Sequence, residues 1–103
     1  MQSKRFHSGR TMVGFAVPSE ADASRVGVSV SRAFKSSVER NRARRRLREV
    51  ARAEILGPDS PLARLGIRYD VVLIARRRVL DVSFAELREE ASVAALRLAN
   101  LKP

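Results

Sequence analysis

Six arginines fall within the nine residues from Arg40 to Arg48, in the run Arg40-Asn41-Arg42-Ala43-Arg44-Arg45-Arg46-Leu47-Arg48-Glu49. A guanidinium is planar, always charged and carries its donors in a rigid fork. At this density it suits bidentate contact with phosphates and stacking on bases. Asn41 adds a group that both donates and accepts, which suits a ribose 2′-hydroxyl or a base edge. Between Arg32 and Arg52 there are nine basic residues: Arg32, Lys35, Arg40, Arg42, Arg44, Arg45, Arg46, Arg48 and Arg52. They face only Glu39 and Glu49, so seven of the ten net positive charges lie in one segment. If roughly 6 phosphates were engaged, binding should weaken about a thousandfold or more between low and moderate salt.

Bond-breaking chemistry has no comparable constellation. The acidic residues are scattered, with Glu20 and Asp22 in a turn and Glu86, Glu89 and Glu90 on a surface helix, whereas two-metal catalysis needs convergent carboxylates. There is no nucleophile elbow, no phosphate-cradling glycine loop and no cysteine. His7 is the single histidine, so a zinc site has no support. The expectation is a protein with no catalytic residue and no metal ligand of its own.

At 103 residues the chain reads as one domain, 1–103. A net charge of +10 opposes compactness and implies a polyanionic partner, most often nucleic acid. A merely soluble surface is normally reached with mixed signs and a smaller net charge. The N-terminus is basic without a following apolar run, and no stretch reaches membrane-spanning length. A cytoplasmic protein with no membrane partner is expected.

The arginines sit on a helix. Ser36 three residues before Glu39 is a capping-box pattern, and Gly57-Pro58 stops the helix after about Leu56. At ~100° per residue, Ala43, Leu47, Val50, Ala51 and Glu54 cluster on one side, with Asn41, Arg45, Arg48 and Arg52 nearly opposite. Glu49, one turn from Arg45, is placed to hold its guanidinium.

Around this helix, Met12 to Val17 reads as a strand closed by Pro18. Arg25 to Ser31 alternates, with Val26, Val28 and Val30 on one face and Gly27, Ser29 and Ser31 on the other. The two segments read as an antiparallel pair. The small-residue face is either solvated or packed under a helix, or else it leaves room for a nucleic-acid backbone. Tyr69 to Ala75 reads as a strand buried on both faces beside the alternating one. Arg76-Arg77-Arg78 follows as a second basic cluster. Ser83-Phe84-Ala85-Glu86 opens a last helix through about Asn100, with Phe84, Leu87, Ala91, Ala94 and Leu98 as its core stripe. Residues 1 to 10 read as a short helical turn or an arm ended by Gly9.

The pattern Val38-x-Arg40-Asn41-Arg42-x-Arg44-Arg45-x-x-Arg48-Glu49, preceded by Arg25-Val26-Gly27-Val28-Ser29-Val30-Ser31, resembles the protein subunit of bacterial ribonuclease P. Tyr69 to Arg76 and Ser83 to Leu87 match in order and approximate spacing, and the resemblance covers about residues 6 to 98. It implies an α/β (α+β) sandwich: a small mixed sheet with a left-handed βαβ crossover, a fold shared with the second domain of a small-subunit ribosomal protein. It also implies a subunit of an RNA-dependent endoribonuclease, in which a catalytic RNA removes the 5′ leader of precursor tRNA. The protein would bind both RNAs, magnesium would sit at the RNA-based active site, and no DNA partner is expected.

The resemblance places the catalytic RNA on the Arg-Asn-Arg helix, Arg40 to Arg48, and with the charge count the nine basic residues and Asn41 are the candidate RNA contacts. It places the leader in a cleft between the sheet and an N-terminal helix, with Phe6, Phe15 and Arg76 as candidate contacts. Phe6 matches a family aromatic just before a glycine, and Phe15 could equally be a core residue. The chain departs from the family in two places: Lys35-Ser36 stands where Gly-Asn is usual, and most of the first helix has no counterpart before Phe6. A structural RNA-binding protein, such as a ribosomal one, would share the charge without stimulating cleavage.

Overall fold

The computed structural model describes residues 3–31 and 34–101. The central strand of the sheet is the continuous apolar run, β4 (Tyr69–Ala75). Its two edges take β2 (Met12–Pro18) antiparallel and β3 (Arg25–Val30) parallel. A further strand, β1 (Lys4–Ser8), pairs antiparallel with β2, giving the order β1-β2-β4-β3. This corrects two expectations. The segments at 12–17 and 25–30 run antiparallel but do not pair, because β4 lies between them. Both edges of a buried apolar strand need backbone partners, and Ser19 to Ser24 carries the chain across the start of β4. There the Ser19 amide donates to the Arg68 carbonyl at 3.0 Å and the Tyr69 amide to Ser24 Oγ at 3.0 Å.

The second correction concerns the N-terminus: Lys4–Ser8 is a strand, not a shortened helix. Five residues are too few for a stable isolated helix, whereas pairing with β2 satisfies the backbone at once. A register shift between Arg5 and His7 turns both Phe6 and His7 inward. The Phe6 ring fills the space over Gly14, where an added Cβ would lie 2.5 Å from a ring carbon, so only glycine fits there.

One face of the sheet is covered by α1 (Ser37–Glu54) and α3 (Phe84–Ala99). Met12, Ala16, Val71, Leu73 and Ala75 from the strands meet Ala43, Leu47, Val50 and Ala51 of α1 in the core. Leu87, Ala91, Ala94, Ala95 and Leu98 of α3 complete it. Phe84, expected in that stripe, is 42% exposed at the first residue of α3. A short helix, α2 (Pro61–Leu65), is capped by Ser60 and closed by Gly66 at φ 66°, a left-handed position. A single 3-10 turn, Arg77–Leu80, links β4 to α3 and buries Val79. Among the described residues no helix covers the other face of the sheet. Val72, at 45% exposure, shows that β4 is covered on one face and open on the other, against the expectation of burial on both.

Candidate nucleic-acid interface

Helix α1 begins where Ser36 Oγ accepts the Glu39 amide at 3.1 Å. The reciprocal half of the expected capping box is absent, because the Glu39 carboxylate pairs with Arg77 at 3.5 Å. The apolar stripe is buried as its spacing demands, and this fixes which residues face outward. Asn41, Arg45, Arg48 and Arg52 are exposed in one row, and with Arg44 and Glu49 they line a shallow depression of about 410 Å³. Arg44 donates to Asn41 Oδ1 at 3.0 Å, which orients the fork and leaves the Asn41 amide nitrogen to donate outward. Glu49 forms no ion pair with Arg45 among the described residues, so the expected brace is not made.

Two other arginines of the run turn toward the protein. Arg40 donates to the Phe34 carbonyl at 2.9 Å and Arg46 to the Val82 carbonyl at 2.7 Å, with the Arg46 Nε buried and unpartnered. These bonds tether α1 to the segments before and behind it. Lys35 and Arg42 are exposed, and Arg32 lies outside the described residues.

The open sheet face is a second surface, and its layout follows from strand register. One row across the sheet runs Val17, Asp70, Arg25; the next runs Arg5, Phe15, Val72, Gly27; the third runs Ser8, Val13, Ile74, Ser29. A groove of about 600 Å³ lies over the first two, with Ser3 at its rim. Phe15 is half-buried on its floor. Gly27 is exposed, its φ is not positive, and a Cβ there would meet nothing nearer than the Val71 carbonyl at 4.0 Å. Neither packing nor backbone conformation requires a glycine at this position, so the bare spot leaves room above the sheet for an approaching chain.

Arg25 and Asp70 form a forked pair beside it, with Nε at 3.0 Å and a terminal nitrogen at 2.9 Å from the two carboxylate oxygens. The hydrogen bond from Arg25 holds the Asp70 carboxyl below its ordinary range, against partial desolvation. Of the three expected leader contacts, only Phe15 is on this groove. Phe6 is 8% exposed and belongs to the core on the opposite face, so it has no free ring face to stack on a base. Arg76 follows Ala75 at the far end of β4, on the order of 13 Å along the strand from the Phe15 row, and donates to Ser8 Oγ at 3.0 Å. Strand register also places Arg5 and Arg25 on this face, neither of which was among the expected contacts. Arg25 shares the parity of Gly27 and Ser29, a signal already present in the alternation. Arg5 carries no comparable signal, because the register shift in β1 erases the alternation around it.

A buried polar knot pins the β1–β2 hairpin to α3. Arg97 can only donate, so His7 Nδ1 accepts from it at 3.0 Å and His7 Nε2 donates to Glu90 at 2.8 Å. The Thr11 amide donates to the same carboxylate at 3.1 Å. Burial pushes the Glu90 carboxyl up, but the bonds from His7 and Thr11 together outweigh it and leave it below the usual glutamate value. Among the described residues no group of three or more His, Cys, Asp or Glu side chains could hold a metal, and no helix is long and apolar enough to cross a membrane.

The family model Ribonuclease P matches residues 1–99. The ribonuclease P protein component of Chloroflexus aurantiacus is 35% identical over 103 residues, covering 99% of this chain and 70% of that one. The Symbiobacterium thermophilum component is 44% identical over 66 residues, 64% of this chain. The chain spans about half the length of the latter, 51%. Among solved structures, the RNase P protein from Thermotoga maritima superposes with a TM-score of 0.69 at 24% identity, covering 99% of this chain and 86% of that one. A Staphylococcus aureus RNase P protein mutant with defective mRNA degradation activity gives 0.70 at 22%, covering 98% and 78%. At such identities the structural likeness speaks for the fold: a four-stranded mixed sheet with three helices.

Proposed function

The chain belongs to the ribonuclease P protein family, and from that premise and its two surfaces we propose that it is the protein subunit of a ribonuclease P ribonucleoprotein. It binds the catalytic RNA through the exposed row of α1, with Arg42, Arg44 and Lys35 beside it. The 5′ leader of precursor tRNA crosses the open sheet face, a base stacking on Phe15 while Arg5 and Arg25 flank it and Gly27 leaves space for the backbone. The RNA carries out the endonucleolytic cleavage with magnesium held by RNA and phosphate oxygens. The protein's part is to neutralise phosphate charge and position the leader, in the cytoplasm.

The observation that carries this is the division of α1. One side is locked into the core by Ala43, Leu47, Val50 and Ala51, so the opposite row meets a polyanion as a rigid surface. Phosphate binding by pre-oriented forked donors gains strength without further ordering of the helix.

The test mixes the protein with a bacterial ribonuclease P RNA and a precursor tRNA at low magnesium and follows 5′ cleavage. Stimulation over the RNA alone is expected. Binding without stimulation would point to a structural RNA-binding protein instead. Cleavage without the RNA would move the chemistry onto the protein and overturn the proposal.

A further inference from the structure

Arg76, Arg77 and Arg78 leave β4 as one basic run, but the fold sends them three ways. Arg76 goes to Ser8 on β1. Arg77 reaches back to the start of α1, its guanidinium carbon 5.9 Å from the centre of the Phe34 ring and its fork 3.5 Å from the Glu39 carboxylate. Arg78 is exposed, and its side chain engages no partner among the described residues.

Two anchors define how the segment after β4 lies against α1. Arg77 meets Glu39, and the Val82 carbonyl receives Arg46. Glu39 and Arg46 are two helical turns apart on one flank of α1. Arg42 lies between them on that flank, and Arg78 lies between Arg77 and Val82 on the segment alongside. Arg42 is exposed as well, with no partner among the described residues. Val79 is fully buried beneath the 3-10 turn, which keeps the turn from rolling. Asp81, three residues after Arg78, forms no ion pair with it. Two exposed guanidiniums, with no ion-pair partner among the described residues, therefore belong to the two elements that meet at this seam.

We propose that Arg42 and Arg78 form a second phosphate-binding site for the catalytic RNA, at this seam and beside the Asn41 row. It rests on the reading that α1 faces that RNA. Its physical effect is orientation. Contacts from a single helical row leave α1 free to roll about its own axis on the RNA, and a contact from a separate element removes that freedom. Arg77, which shares the same basic run, holds the seam together from the protein side.

The experiment measures the affinity of the full chain for a bacterial ribonuclease P RNA across a salt series, with thermal melting alongside. Arg78→Ala should leave the melting temperature unchanged and make the slope of log affinity against log salt shallower by about 1, as for loss of one phosphate contact. Arg42→Ala plus Arg78→Ala should make it shallower by about 2. Arg78→Lys should retain the slope. Arg77→Ala should lower the melting temperature, since it removes the Glu39 pair and the contact with Phe34. An unchanged slope for Arg78→Ala, with a slope flattened by Arg45→Ala plus Arg48→Ala, overturns the seam site and leaves the α1 interface standing. If neither variant alters the slope, both fall. An effect confined to precursor tRNA binding would also overturn it.

Discussion

Phe6 and Phe15 offer a contrast in which the same chemical change should give opposite results. Phe6→Ala removes a ring that is 8% exposed and fills the space over Gly14, and glycine cannot grow to close the gap. Truncating a buried Phe costs about 3–5 kcal/mol. For a domain near 100 residues each kcal/mol lowers the melting temperature by roughly 4–8 °C, so a fall of more than about 12 °C is expected. Phe15→Ala acts on the half-buried floor of the open groove. Its cross-strand neighbours contribute only about 0.2–1 kcal/mol to stability, whereas one base stacked on an aromatic ring is worth about 1–3 kcal/mol. At 1.4 kcal/mol per tenfold, that is a loss of roughly 5- to 150-fold in affinity. The assay compares the binding of precursor tRNA and leaderless mature tRNA to the assembled ribonucleoprotein, with melting of each protein variant as control. Phe15→Ala should erode the preference for the leader-bearing substrate while leaving stability nearly intact. Phe6→Ala, measured where it is still folded, should keep the preference. If Phe15→Ala left the preference untouched, the stacking platform would be wrongly placed. If Phe6→Ala abolished it without loss of stability, the assignment of Phe6 to the core would be refuted.

Gly27→Val should be tolerated or stabilising in a melting experiment, because its Cβ meets nothing closer than 4.0 Å and valine suits a strand. The same variant should weaken binding of the leader-bearing substrate, and normal binding would show that no chain passes over Gly27. Glu90→Gln should matter only away from strong acid. The Glu90 carboxyl is lowered in the folded protein, so its stabilising contribution is complete above its ordinary value of 4.5 and is lost as pH falls through the lower folded value. Melting curves of wild type and Glu90→Gln should thus converge as pH falls from 4.5 through the lower folded value, and a constant difference over that fall would contradict the bonding described for the knot.

Much of this was legible because it is local. The stripe of Ala43, Leu47, Val50 and Ala51, the Ser36 and Ser83 caps and the alternation from Arg25 to Val30 each depend on residues a few positions apart, and the fold keeps them all. What escaped was tertiary. The partner of β2 is a strand more than fifty residues away, and nothing in Met12 to Pro18 announces it. The strand β1 was hidden by its irregular register, which turns two consecutive residues inward and erases the alternation. Arg40 and Arg46 look like their neighbours in sequence, yet the carbonyls of Phe34 and Val82 draw them toward the body of the protein. Charge alone could not separate the arginines that hold the helix from those that face outward.

The sheet order also dictates when the molecule can come together. Its middle strand, β4, is the last of the four to be synthesised. Until residue 75 has emerged, β2 lacks one partner, β3 lacks its partner, and α1 has no complete surface on which to bury its apolar stripe. Only the β1–β2 hairpin and the locally capped α1 can be sampled earlier. Closing the sheet means bringing β4 between two strands made long before it, with loop-closure entropy lost before contacts compensate. For that interval the nascent chain displays seven arginines on a helix that has not yet found its place. An RNA able to engage the exposed row then would meet the protein before the protein is finished.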